Sequence, residues 1–150
     1  MATPFTDVYD QFLMLVKDYR LNQLYESSET DFTTYLSGWL LPAITDFSRC
    51  DQSLAYTSNT FDETLSRSNI KILALMMKRY WLKQEIENIT QMSLHVQDRD
   101  FKTFAEANNL SAKKDAYILD LEEVSQMLVD YVLDNVVDWD AWENGVYRSA

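Results

Sequence analysis

Two glycines and two prolines are all that 150 residues offer for tight turns. Sandwiches and barrels reverse direction often, so this shortage argues against them and favours long helices with few connections. Cysteine occurs once, at Cys50, so no disulfide can close within the chain and no cysteine metal cluster can form. The longest unbroken apolar run, from Ile72 to Met77, is far too short to span a bilayer. No basic stretch precedes an apolar one near Met1, so a secretory signal is not expected. Positive charge is also scarce. Lys and Arg number 13 against 24 Asp and Glu, a formal charge of −11. That balance argues against binding nucleic acid by neutralising phosphates, and against an anionic membrane surface as target.

What is present is globular. Hydrophobic residues make up 47% and aromatics 13%, enough for a sizeable core in about one domain. Helical spacing dominates. A first helix is expected over residues 4–19, with Thr3 as cap, Pro4 in the first turn and Asp7 where the helix dipole favours an acid. Residues 22–30 are polar, with a break at Ser27-Ser28. A second helix is expected over 31–50, capped by Asp31 and kinked or broken near Pro42. Residues 51–66 read as a short hairpin or a loop. A third helix over 68–88 has an apolar face broad enough for burial on more than one side, so it is expected to be central. After a connector at 91–99, a short helix over 100–109 ends at Asn108-Asn109. A long helix over 111–137 follows, facing inward through Ile118, Leu121, Val124 or Ser125, Leu128, Val132 and Val136. The fold class is therefore all-α, an irregular bundle of about five helices with a long irregular connection near 51–66. Residues 1–137 form the helical domain and 138–150 an extended tail.

A search for chemistry returns little. His95 is the only histidine, and with Cys50 alone it cannot complete a zinc site or a nucleophilic triad. Acid pairs such as Asp98 with Asp100 or Asp138 with Asp140 fit solvated helix faces. Asp138-Trp139-Asp140 lacks the ligand spacing and central glycine of a calcium loop. Isolated glycines make no phosphate loop. The chain reads as a non-enzyme without cofactor or metal.

The run Thr3-Pro4-Phe5-Thr6-Asp7-Val8-Tyr9 resembles the start of a family of tailed-bacteriophage neck proteins, the head–tail connectors or adaptors. Ile72-Leu73-Ala74-Leu75-Met76 followed by Trp81-Leu82 resembles the same family. So does Asp100-Phe101-Lys102-Thr103-Phe104-Ala105 with Ala107-Asn108 and Leu110. The resemblance implies a mostly helical structural protein of the virion neck, made in the host cytoplasm. It implies a ring, typically twelvefold, below the portal protein and above another neck or tail-completion protein. DNA would leave through that ring without specific binding, and an acidic lumen would discourage it from adhering. The tail from Asp138 departs from the family, so its role is not inherited. The competing class is an acidic helical binding module, such as a DNA mimic or an inhibitor of a basic protein. Its acids should line one continuous face, whereas here they spread along the whole chain.

Two segments are candidate partner interfaces. Trp139, Trp142 and Tyr147 lie in a tail too short for its own core. They either fold back on their own helices or anchor another chain, and anchoring is the favoured reading because tryptophan dominates interface hot spots. Leu54, Tyr56 and Phe61 lie in the long connection, which is uncommon unless it does something, and subunit contact is the expected reason.

Overall fold

The computed structural model describes residues 1–97 and 103–136. Thr3–Pro4 is a two-residue strand, β1, and not a cap. The Thr3 hydroxyl accepts the Leu65 N–H at 2.9 Å, so it is unavailable to the helix start. Helix α1, Phe5–Leu15, follows with Asp7 in its first turn. It ends earlier than its apolar spacing suggests, because Val16 and Asp18 are extended. Val16 buries its side chain there, and the Asp18 carboxylate accepts the Arg20 N–H at 2.9 Å. That cap starts α2, Tyr19–Ser27, through the stretch expected to be a polar connection. Leu21 is buried and Leu24 packs against the core, which is what makes so polar a segment worth ordering.

The break at Ser27-Ser28 is where it was expected. Ser28, not Asp31, caps α3, Glu29–Asp46, by accepting the Asp31 N–H at 3.2 Å. The helix is continuous through Pro42, so no break occurs there. The proline removes only the bond to the Gly38 carbonyl, and Gly38 has no neighbouring side chain within 4 Å of where its own would be.

Residues 51–66 form a hairpin of β2, Tyr56–Thr57, and β3, Thr60–Phe61. Ser58 and Asn59 both have positive φ, 49° and 63°, the pairing that a two-residue hairpin turn needs. β3 is the middle strand, with β1 and β2 antiparallel on either side and Thr3 opposite Phe61. The sheet is tiny and the class stays all-α.

Helix α4, Arg67–Gln97, is longer than expected and absorbs most of the predicted connector. The two expected C-terminal helices are one, α5, Thr103–Val136, running through Asn108 and Asn109. Asparagine in a helix costs only tenths of a kcal/mol (about 0.7 at most), too little to stop so long a run. Five helices thus stand among the described residues, but divided differently: the first ends early, one forms in the expected polar connection, and the last two merge.

Helix α4 is central, touching α1, α3 and α5. Leu73, Met77 and Leu82 are fully buried on it, and Trp81 is 5% exposed, its ring edge-on to Tyr117 of α5 at 5.7 Å. Phe5, Val8 and Phe12 of α1 and Leu36 and Leu40 of α3 complete the core with Val124 and Leu128 of α5.

Candidate functional site

The long connection does not present its aromatics together. Phe61 is 0% exposed and packs against Phe5 with the rings tilted and their centroids 4.9 Å apart, so it is a core residue and leaves the set of candidate interface residues. The register decides this: Phe61 sits on the middle strand between Thr3 and Tyr56, facing the core. Leu54 is half-buried against the core. Tyr56, 46% exposed, stays on the outside with one side of its ring against Phe5. Trp139, Trp142 and Tyr147 lie outside the described residues.

A polar cluster ties this connection down. Asn69, at the start of α4, is fully buried. Its Nδ2 donates to Asp51 at 2.8 Å and to Gln52 at 2.7 Å. Its Oδ1 accepts from the Tyr131 hydroxyl of α5 at 2.5 Å. Gln52 reaches on, donating to the Thr64 carbonyl and accepting the Ser66 N–H. Burial pushes up the pKa of the Tyr131 phenol and of the neighbouring Cys50 thiol. Every member has a partner, so the cluster is a structural clasp and not a reactive site. A thiol held protonated is likewise a poor nucleophile.

The surface that stands out is on α5. Its inward side carries Tyr117, Leu121, Val124 and Leu128. Leu119 is 66% exposed, Met127 41%, Val129 51% and Leu133 41%. At roughly 100° per residue, Leu119 and Leu133 fall within about 40° of each other and roughly opposite the buried side. Between those two leucines the same side carries Glu122, Glu123, Gln126 and Asp130, so it is not a continuous apolar face; only Val129 and Leu133, one turn apart, sit side by side. The signal was present in the sequence, since Leu119, Met127, Val129 and Leu133 do not fit the inward spacing that Leu121, Val124 and Leu128 define.

Beside this surface runs an open groove of about 510 Å³ between the end of α3, α4 and α5. Its apolar lining includes Phe47, Ile72, Met76 and Leu128, with Val129 and Leu133 joining it to the exposed side of α5. Arg79 lines it too, and the Arg79 Nε is buried without a hydrogen-bond partner among the described residues. Tyr80 donates to Asp46 at the same end, and that hydrogen bond to a carboxylate raises the phenol's pKa.

Among the described residues, no three His, Cys, Asp or Glu side chains converge as a metal site would require, and no helix is long and apolar enough to cross a membrane. The geometry offers surfaces for association and clasps that hold them rigid. No protein-family model, curated protein or solved structure matches the chain.

Proposed function

We propose that this chain is a structural protein of a tailed-phage virion, one subunit of a ring below the portal that joins head to tail and surrounds the path of the exiting DNA. The observation that carries the reading is the open apolar groove between the end of α3, α4 and α5, with Val129 and Leu133 exposed at its rim. An acidic single-domain chain with such a groove is fitted to assembly. The resemblance of residues 3–9, 72–82 and 100–110 to connector proteins supplies the kind of assembly. In this reading the partners are the portal protein, another neck or tail-completion protein, and copies of the chain itself, about twelve to the ring. No bond is made or broken. A formal charge of −11 keeps DNA from adhering as it passes. The tail contributes Trp139, Trp142 and Tyr147 to a neighbouring chain, and the exposed Tyr56 marks a second contact.

The test mixes the purified protein with portal-bearing capsids that lack their neck. Co-sedimentation, with a ring visible by electron microscopy at the portal vertex, is the expected result. Trp139→Ala with Trp142→Ala should abolish stable attachment while leaving helical content intact, since hot-spot tryptophans are worth roughly 2–4 kcal/mol each. A parent protein that stays in the supernatant at micromolar concentration overturns the proposal.

A further inference from the structure

The groove between the end of α3, α4 and α5 combines an apolar floor with Arg79 and Lys83 at one end, against the single lining acid Asp46. Phe47, Ile72, Met76 and Leu128 supply the floor, and Val129 and Leu133 lead out of it. The buried Arg79 Nε has no hydrogen-bond partner among the described residues. Asp46, the acid in the same lining, is engaged by the Tyr80 hydroxyl. Lys83 is exposed, with its Nζ 5.9 Å from the Tyr80 ring centroid, and adds a second cation to that end. An occupant suited to this surface presents large apolar side chains with acids beside them. Residues 138–143, Asp-Trp-Asp-Ala-Trp-Glu, have that composition: two tryptophans three positions apart among three acids.

We propose, resting on the ring reading above, that this groove receives residues 138–143 of a second copy of the chain. Each subunit then offers its tail to one neighbour and its groove to the other. A closed ring of identical chains needs this kind of interface, two different and complementary surfaces on one molecule. Residues 137–150 follow α5 in sequence, and fourteen residues span up to roughly 46 Å when extended, at about 3.3 Å per residue. The chain's own tail is the poorer occupant. Leu133, on the groove, precedes Trp139 by only six positions, and neither glycine nor proline stands between them to reverse the chain.

The test places Val129→Cys and Ala141→Cys in the full chain with Cys50→Ser, and oxidises it both free and bound to portal-bearing capsids. The expected result is a ladder of covalent dimers and higher multimers on a non-reducing gel. Adding Leu133→Asp and Arg79→Gln should cut that ladder by roughly tenfold or more, and raised salt should weaken it. A cross-linked species that stays monomeric puts the tail on its own chain and overturns the inference, as does the absence of any cross-link. Capsid binding is read separately on the same samples. If the chain binds capsids but forms no ladder, the ring reading stands and this inference falls. If it ignores capsids yet forms the ladder, the interface stands and the ring reading falls.

Discussion

The Tyr131 hydroxyl donates to the buried Oδ1 of Asn69 at 2.5 Å, across 62 positions of sequence. Through Asn69 it also reaches Asp51 and Gln52, so three separate stretches of chain meet at one amide. Tyr131→Phe leaves that oxygen unpaired and should cost about 1–2 kcal/mol. Asn69→Ala empties a fully buried position and strands several polar partners, so about 2–4 kcal/mol is expected. Urea unfolding of both single variants and the double variant measures the coupling. Strictly additive losses would refute the clasp.

Trp81 is the largest test of the central helix. Trp81→Ala should cost about 3–5 kcal/mol in the same assay, whereas Trp81→Phe, which keeps an aromatic ring near Tyr117, should cost less than half of that. A loss below about 1 kcal/mol for the alanine variant would mean that α4 is not the core element.

Arg20 neutralises a buried acid. Its Nη2 lies 2.7 Å from Glu85, whose side chain is 7% exposed, and 2.9 Å from Asp18, the cap of α2. Arg20 itself is 60% exposed, so solvent screens the pair and Arg20→Ala should cost only about 1–2 kcal/mol. Adding Glu85→Gln removes the uncompensated charge and should recover part of that loss. Thermal melts of the single and double variants give the comparison, and a double variant less stable than Arg20→Ala would contradict it.

Burial pushes the Tyr9 phenol from its ordinary value of 10.0 up to about 12. Its ionised form is the disfavoured one, so the folded pKa lies above the unfolded one. The associated stability is complete below pH 10 and is lost as pH rises towards about 12. Unfolding followed at 222 nm should therefore steepen across that window, and Tyr9→Phe should flatten the slope. An unchanged slope in Tyr9→Phe would assign the loss to other groups.

The hairpin turn can be improved. Ser58 and Asn59 occupy positive φ, where glycine pays no steric cost. Asn59→Gly should stabilise by about 0.5 kcal/mol and Asn59→Val should destabilise by about 1 kcal/mol or more, because a β-branched residue clashes there. Denaturant midpoints decide the sign.

The helical class and the central place of α4 were legible because Leu73, Met77 and Trp81 repeat at a local period that needs no knowledge of partners. Element ends were less so. The end of α1 at Leu15 depends on Val16 finding the core and Asp18 finding the Arg20 N–H, both set by packing. Asn108-Asn109 looked like a stop, but a weak local preference loses to a long helix that has α4 to lie against. Phe61 was misread for a related reason. Its direction is set by pairing with Thr3, far away in sequence, and period-two alternation alone does not say which side faces inward. The exposure of Val129 and Leu133 was readable in principle, since both fall outside the inward set of Leu121, Val124 and Leu128. The clasp at Asn69 was not, because its partners come from two segments distant from it in sequence, 51–52 and 131.

The pairing of β1 with β3 also sets a timetable. Synthesis runs from the amino end, so Thr3 must wait for Phe61 to be made before its strand exists. At roughly 5–20 residues per second that delay is about 3–12 s. Phe5, Val8 and Phe12 of α1 emerge from the ribosome early, with their seats on α4 still unmade. For those seconds an apolar segment is left in the open, where a chaperone or another nascent chain can reach it before its own core does.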